Sequence, residues 1–278
     1  MRRSAVAALA ILGAALSAQA TAAVLPRIAS MNVCTDQLLI SLADPEQILG
    51  LSRFARERFE SFAADDAARF RILSGGAEDI LELAPDIVVA SLFDKRSTRE
   101  LLKAKGLHLV EFTVPRNLDE VEAQILKMGE LVGHPERASA QVARLNEAIA
   151  RARQAVASRH YRVLPLSRRG WVTGRDSLLS SLLAETGLFN AAGDLGIGFG
   201  SFASLEAIVN LKPDFIVVSE AGDRAEDDGR AFLLHPALER FYPPSRRIVI
   251  PDRLTVCGGV MLADALDQLV KELRRVER

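Results

Sequence analysis

The sequence predicts an α/β protein with two βα-alternating lobes, mostly parallel sheets, and one long α-helix that joins the lobes. Three observations support this prediction. One helix–break–strand unit occurs twice, strand and helix patterns alternate in both halves, and a long amphipathic helix lies between the halves. A chain of 278 residues also exceeds the size of one average domain, so two lobes agree with its length.

The repeated unit occupies residues 76–91 and 204–219. Both copies contain a short helical pattern, a Pro-Asp pair and a run of apolar, β-prone residues. Proline ends a helix and biases the preceding residue to extended geometry, so the pair marks the break between helix and strand. A strand that is apolar on both faces is typical of a parallel sheet. The duplication therefore predicts two similar lobes, with Asp86 and Asp214 as turn and capping residues.

The amino terminus has the pattern of a secretory signal peptide. A basic Met-Arg-Arg start precedes an apolar run, residues 5–16, that is short for a membrane span. Ala18 and Ala20 fit a small-x-small cleavage site, and Ala23 is a second possible site. We therefore expect residues 1–23 to be a cleaved signal peptide and the mature protein to be periplasmic, with an uncleaved signal anchor as the alternative.

The N-terminal lobe is expected over residues 24–133. Its strand and helix patterns alternate, which is typical of a parallel sheet covered by helices. The predicted strands cover residues 27–32, 48–52, 87–90 and 107–112, and the predicted helices begin at Thr35 and cover residues 77–83, 98–104 and 118–132. Residues 53–68 are rich in charge and alanine, and we make no structural prediction for them.

A connecting helix is expected within residues 134–160. Pro135 suits the first position of a helix. Apolar residues at spacings of three and four form one stripe, namely Val142, Leu145, Ile149, Ala152 and Val156. A helix of this length is about 36 Å long. We interpret it as a rigid strut between the lobes, and an ordinary surface helix of one lobe is the alternative.

The C-terminal lobe, residues 161–278, repeats the plan of the first. Its predicted strands cover residues 161–166, 215–218 and 247–250, and its predicted helices cover residues 177–186, 205–211, 232–241 and 261–276. Gly187 is expected to end the first of these helices in a left-handed conformation. Residues 189–202, which are rich in glycine, and residues 220–229 are expected to be loops.

Composition and motifs exclude several functional classes. The chain has 35 basic and 36 acidic side chains, so no nucleic-acid partner is expected. It contains no nucleophile elbow, zinc-protease motif or phosphate-binding loop. None of the four histidines is placed at a predicted strand end, so we expect no metal site built by the protein. An exported enzyme that uses Cys34 or Asp36, and a carrier of bare zinc or manganese ions, remain alternatives.

A ligand site is expected between the lobes. In open parallel sheets, ligands bind outside the carboxyl ends of the strands. This rule nominates small polar, aromatic and arginine side chains that suit a large, partly anionic ligand. The candidate ligand-binding residues are Asn32, Cys34, Thr35, Arg53, Ser91, Phe93, Trp171, Arg175, Phe199, Glu220, Arg253 and Cys257. Each arginine could instead be an exposed surface charge, and Trp171 could be a packing residue.

The two cysteines follow the first strand of one lobe and the last strand of the other. An oxidising compartment permits a disulfide, and two cysteines allow one internal pairing. We hypothesise a Cys34–Cys257 disulfide near the hinge. Free thiols, or a soft ligand to a bound metal complex, remain the alternatives.

The chain resembles the helical-backbone (class III) periplasmic binding proteins, which serve ABC importers for vitamin B12 and ferric siderophores and have heme binders as relatives. The resemblance rests on Ala-Ser-Met-Asn-Val-Cys-Thr-Asp-Gln-Leu at residues 29–38, on both repeats, and on Thr173-Gly174 followed by Leu179, Leu182, Leu183 and Gly187. It implies a binding protein and not an enzyme. It also implies a monomer without a cofactor of its own, which captures a ferric siderophore or a cobalamin-type corrinoid containing iron or cobalt.

The resemblance further implies two contacts with the dimeric permease in the inner membrane. A glutamate on each lobe of the family docks into basic pockets of the permease. Glu206 lies in the matching Ser-Leu-Glu, and Glu78 lies in Gly-Ala-Glu, where Ala77 replaces the usual leucine. From the residues alone, both glutamates would complement a helix dipole. The low aromatic content of 5% and the arginines Arg53, Arg175 and Arg253 favour an anionic iron chelate as the ligand.

Overall fold

The computed structural model describes residues 24–157, 159–219 and 232–277. The predicted signal peptide, the predicted loop at residues 220–229 and the candidate Glu220 lie outside the described residues. No helix in the described ranges is both long enough and apolar enough to cross a membrane.

The N-terminal lobe is a four-stranded parallel sheet with helices. Its strands are β1 (Ile28–Ser30), β2 (Ile48–Gly50), β3 (Ile87–Ser91) and β4 (Leu109–Phe112), in the order β2-β1-β3-β4. Its helices are α1 (Val33–Leu42), α2 (Ala77–Leu83), α3 (Arg96–Ala104) and α4 (Leu118–Val132). Every residue of β3 is buried, as expected for a strand covered on both faces.

The C-terminal lobe contains a second four-stranded parallel sheet. Its strands are β5 (Arg162–Pro165), β7 (Phe189–Asn190), β9 (Phe215–Val218) and β10 (Arg247–Val249), in the order β10-β9-β5-β7. A two-stranded antiparallel sheet of β6 (Trp171–Thr173) and β8 (Gly200–Phe202) completes the set of strands. The helices are α6 (Leu178–Glu185), α7 (Leu205–Leu211), α8 (Pro236–Phe241) and α9 (Leu262–Val276).

The prediction of a loop over residues 189–202 is wrong. This segment contains β7, a 3-10 helix (Ala191–Leu195) and β8. Its glycines allow close packing: a Cβ on Gly200 would come within 2.5 Å of the Trp171 indole, which lies across β8. Glycine in a strand often marks such a close approach. Trp171 is also the first residue of strand β6 and not part of a loop after β5.

Helix α5 (Pro135–Val156) follows the strands of the first sheet and precedes those of the second in the sequence. It packs against both α4 and α9. The apolar stripe is buried at Leu145, Ile149, Ala152 and Val156. One hydrophobic core includes residues from both sheets and from α5, among them Ile28, Val89, Leu145, Val163 and Ile248. The long helix is therefore held by both lobes along its length.

The internal symmetry extends beyond the repeated unit. The Asp86 carboxylate accepts a 2.8 Å hydrogen bond from the N–H of Arg27, which directly precedes β1. In the same way, the Asp214 carboxylate accepts a 2.8 Å hydrogen bond from the N–H of Arg162, the first residue of β5. The residues that end α2 and α7, Ala84 and Lys212, are both left-handed, with φ of 44° and 51°. The two copies thus share backbone geometry as well as sequence.

A disulfide between Cys34 and Cys257 links the two lobes. The Cα atoms are 5.3 Å apart, and the cysteines are separated by 223 residues in the chain. Cys34 lies in the first turn of α1, where the Asn32 side chain accepts a hydrogen bond from the Cys34 N–H. Together with α5, the disulfide gives the lobes a second covalent connection.

Candidate functional site

A cavity of about 660 Å³ lies between the lobes. Its C-terminal wall includes residues at the carboxyl ends of three parallel strands, with Leu166 after β5, Ser219 after β9 and Ile250 after β10. Phe59 and Glu60 of the N-terminal lobe line the opposite side. We call it the main chamber. Its position agrees with the rule that ligands bind at the carboxyl ends of parallel strands.

The N-terminal wall of the main chamber is formed by Phe59 and Glu60. Both belong to residues 53–62, which we call the phenylalanine loop. It exposes three aromatic side chains, of which Phe59 is 63% exposed and Phe54 and Phe62 are more than a third exposed. Phe59 and Phe62 also line an adjoining cavity of about 360 Å³, together with Arg253 from the other lobe. Exposed phenylalanines concentrated at a cleft are characteristic of a surface that contacts an apolar ligand.

Polar side chains of α1 fix both ends of the phenylalanine loop. The Ser52 N–H and hydroxyl donate to the two oxygens of the Asp36 carboxylate at 3.0 and 2.5 Å. At the far end, the Phe62 N–H donates to the Gln37 side-chain oxygen at 2.8 Å. The Gln37 amide nitrogen contacts the Cys257 sulfur at 3.2 Å. The loop is therefore tied to the helix that carries the disulfide.

Asp36 is a carboxyl group without solvent exposure. Burial raises its pKa to about 7, because desolvation disfavours the charged form and outweighs the hydrogen bonds from Ser30 and Ser52. The nearby Asp94 carboxyl also raises it. Burial likewise raises the pKa of Asp94, whose oxygens accept hydrogen bonds from the Ser91 N–H and the Asn32 amide.

A second cavity, of about 170 Å³, lies beside the disulfide. It brings together six of the predicted ligand-binding residues: Asn32, Cys34, Thr35, Ser91, Phe93 and Cys257. Val256 lines both this cavity and the main chamber, so the two adjoin.

A third cavity, of about 410 Å³, adjoins the main chamber at Ser177. It contains two further predicted residues, Arg175 and Phe199, and it is also lined by Arg116 and Asn117 of the N-terminal lobe. Three smaller cavities thus surround the main chamber, and each of them shares a residue with it.

Three predicted residues stand apart from this group. Trp171 lines none of these four cavities and packs edge-on against Phe202, with ring centroids 5.1 Å apart. It lies on the same face of β6 as Thr173, which does line the main chamber. The Arg53 guanidinium lies over the Phe54 ring, 4.5 Å from its centroid. Glu220 lies outside the described residues.

Four residues that line these cavities were not predicted from the sequence, namely Phe59, Phe62, Arg116 and Arg168. The rule that ligands bind at the carboxyl ends of strands nominated Ser52 and Arg53. It could not be applied to the residues that follow, because their secondary structure was not predicted. The one available signal was the presence of several phenylalanines in a segment that is otherwise rich in charge.

Among the described residues, no group of three or more His, Cys, Asp and Glu side chains could hold a metal ion. In the described part of the main chamber, the carboxylates are Glu60 and Asp252, and the lining includes no histidine, tyrosine or methionine. A metal bound in this part of the cleft would therefore bring most of its own ligands.

Glu78 and Glu206 are the second residues of α2 and α7, and both are exposed. Hydrogen bonds from its own N–H and from the Ser204 hydroxyl lower the pKa of Glu206, so its carboxylate is ionised at neutral pH. Each helix precedes a strand and runs back along the sheet. The amino ends of both helices, and with them the two glutamates, therefore lie at the end of the sheets that faces the cleft.

Comparison with known proteins yields a family match. Residues 28–243 match the family described as periplasmic binding protein. A cobalamin-binding protein of Halobacterium salinarum is 24% identical over 225 residues, which are 77% of this chain and 59% of that protein. The chain thus spans about three fifths of the length of the curated relatives that it matches.

Solved structures share the fold. The periplasmic heme-binding protein RhuT from Roseiflexus sp. RS-1 is 24% identical, with a TM-score of 0.72 over 91% of this chain and 99% of that one. The periplasmic vitamin B12-binding protein BtuF of Vibrio cholerae is 17% identical, with a TM-score of 0.66 over 91% of this chain and 98% of that one. The two-lobed architecture predicted from the sequence is confirmed.

Proposed function

Since this chain belongs to the periplasmic binding protein family, we propose that it captures a metal chelate between its lobes and delivers it to an ABC importer. In this proposal, residues 1–23 direct export and are then removed, and the mature protein acts in the periplasm as a monomer. It binds its ligand without catalysing a reaction and needs no cofactor of its own. The iron or cobalt belongs to the cargo.

The main chamber is the observation that carries this proposal. It is lined by Phe59 from one lobe and by Leu166 and Leu234 from the other, so one ligand can contact both lobes at once. The described residues offer no cluster that could hold a bare metal ion. This favours a chelate, which carries its own metal ligands, over bare zinc or manganese.

The phenylalanine loop supports a planar macrocycle as the ligand. A flat apolar ring system, such as a corrin or a porphyrin, can stack on exposed phenylalanine side chains. The low overall aromatic content favours an anionic iron chelate without such rings, but two exposed phenylalanines of this loop, Phe59 and Phe62, line cavities at the cleft. The names of the relatives, which bind heme and cobalamin, point the same way.

Titration of the mature protein tests the proposal. The chain has one tryptophan, so its fluorescence is measured with cyanocobalamin, heme, ferric hydroxamate, ferric catecholate and ferric citrate, with inner-filter controls and calorimetry. Saturable binding of heme or cyanocobalamin at micromolar or lower concentration is expected. Binding of none of the five would contradict the chelate proposal, and binding of the hydroxamate alone would contradict the macrocycle.

Replacing Phe59 with alanine is expected to weaken macrocycle binding about tenfold. Covering a phenylalanine side chain contributes roughly 1.5–3 kcal/mol, and Phe59 is 63% exposed at the cleft. Phe189 provides a matched control, because it is also exposed but begins β7, at the end of the sheet away from the cleft. Calorimetry should show an unchanged affinity for Phe189→Ala. Equal affinities of the wild type and Phe59→Ala would exclude the loop from the site.

Reversing the charge of Glu78 and Glu206 is expected to abolish delivery while ligand affinity stays unchanged. Both carboxylates are exposed, and a basic pocket of the permease would repel lysine at these positions. The measurement is ligand-stimulated ATP hydrolysis by the reconstituted importer. Glu82→Lys is the control, since Glu82 lies at the other end of α2 and forms an exposed ion pair with Arg71. Full stimulation by the Glu78→Lys/Glu206→Lys double variant would disprove docking.

A further inference from the structure

The disulfide connects the two walls of the main chamber. Cys257 directly follows Val256, which lines the chamber from the C-terminal lobe, and Cys34 lies in α1, the helix that holds the phenylalanine loop. We propose that this disulfide is a redox switch: when a dithiol opens it, the end of the phenylalanine loop loosens and ligand affinity falls. The effect on ligand affinity rests on the proposed function. The effect on the loop does not.

Gln37 connects the disulfide to the end of the loop. It is fully buried. Its side-chain oxygen accepts from the Phe62 N–H at 2.8 Å, and its amide nitrogen lies 3.2 Å from the Cys257 sulfur. Only the oxygen of the amide can accept, so the bond from Phe62 directs the amide N–H groups to the sulfur. When Cys257 is released from Cys34, the buried amide loses a fixed partner, which destabilises its position.

The last residues of the loop depend most on this connection. The start of the loop is fixed by the Asp36 carboxylate, and its middle by the Arg56 guanidinium, which donates to backbone carbonyls of the segment that follows. Near its end, the Ser61 hydroxyl is buried and has no hydrogen-bond partner in the part of the chain that the structure describes. Loss of the contact at Cys257 therefore loosens residues 59–62, two of which line the chamber.

A reductant has access to the disulfide at Cys34. This residue is partly exposed, whereas Cys257 is 2% exposed, so one thiolate of the dithiol attacks the Cys34 sulfur. The S–S bond breaks, and the Cys257 sulfur leaves as a thiolate that accepts from the Gln37 amide before it takes a proton. The second thiol then attacks the reductant sulfur in the mixed disulfide and releases Cys34. The dithiol thus supplies two electrons and two protons and becomes a disulfide.

Amide hydrogen exchange, read by mass spectrometry, tests the switch without any ligand. The mature protein is compared before and after reduction with dithiothreitol in native buffer. Protection of residues 59–62 is expected to fall about tenfold, as for the loss of one hydrogen bond, while α3 should be unchanged. Unchanged protection of residues 59–62, an equal fall in α3, or reduction that requires a denaturant would overturn the proposal.

Gln37→Met removes the connection and keeps the disulfide. Residues 59–62 of this variant should exchange about tenfold faster in the oxidised protein, and reduction should add little. Ser41→Ala is the matched control, because it removes a hydroxyl of α1 that donates to the Gln37 backbone carbonyl at 2.7 Å. It should behave as the wild type. An undiminished effect of reduction in Gln37→Met would show that Gln37 is not the connection.

Titration with ferric protoporphyrin IX and cyanocobalamin links the switch to the proposed function. The protein is reduced and freed of dithiothreitol without oxygen. If the loop is in its binding position about a third of the time, affinity falls about threefold, and Cys34→Ala/Cys257→Ala should show the same loss. Equal affinities of the oxidised and reduced protein would overturn control of binding. If neither form binds a chelate but exchange responds to reduction, the switch is supported and the proposed function is contradicted.

Discussion

Reducing the Cys34–Cys257 disulfide is expected to lower the free energy of unfolding by about 5 kcal/mol. A cross-link restricts the unfolded chain more as the enclosed loop grows, and for the 223-residue separation the loop-closure relation gives about this value. Cys34 is partly exposed, so reductant can reach the bond. The unfolded chain also expands when the cross-link is absent, so the dependence of stability on urea should become steeper.

Urea denaturation with and without a phosphine reductant measures this effect. The Cys34→Ala/Cys257→Ala double variant is the control, because reductant should not change its midpoint. A wild-type midpoint that is the same under both conditions would show that the disulfide does not stabilise the fold. Ligand affinity of the reduced protein, measured in parallel, reports whether the disulfide also positions the phenylalanine loop through Gln37.

Stability is expected to fall by about 3 kcal/mol between pH 5 and pH 8 because of Asp36. Its carboxyl holds a proton in the folded protein up to pH about 7, whereas in the unfolded chain it loses the proton near pH 4. A folded state that binds more protons is destabilised as pH rises, by about 1.4 kcal/mol per pH unit between the two values. The full stabilisation is therefore present below about pH 4 and is lost as pH approaches 7.

Asp36→Asn isolates this contribution. The amide can accept from the Ser52 N–H and donate to the Ser52 hydroxyl, so the contacts to the loop are kept without a charge. The variant is expected to be more stable than the wild type at pH 8, with a smaller difference at pH 5. Asp66→Asn, at an exposed carboxyl, is the control. A wild type and an Asp36→Asn variant with parallel pH profiles in denaturant unfolding would contradict the assignment.

Local signals in the sequence predicted most of the secondary structure. The Pro-Asp pairs place the breaks between α2 and β3 and between α7 and β9, and the structure has them there. The spacing of apolar residues predicted α4 and α5 to within about two residues. These signals depend on periodicity and on proline geometry. Both act over a few neighbouring residues, so they can be recognised in the sequence without knowledge of the tertiary structure.

The rule that ligands bind at the carboxyl ends of parallel strands also predicted many of the residues that line the cavities. Six predicted residues line the cavity beside the disulfide, and Arg175, Phe199 and Arg253 line two others. The rule works because parallel strands end at one edge of a sheet, so segments far apart in sequence meet there.

The sequence by itself thus determined the fold class, the repeated lobes and the edge of each sheet that forms the cleft. Only the tertiary structure decided which side chains reach that cleft. The phenylalanine loop has no repeating pattern, and its position depends on bonds from Asp36 and Gln37. Arg116 and Arg175 share a cavity because the two lobes pack together. Such long-range contacts leave no local pattern, because burial and proximity are set by the whole fold.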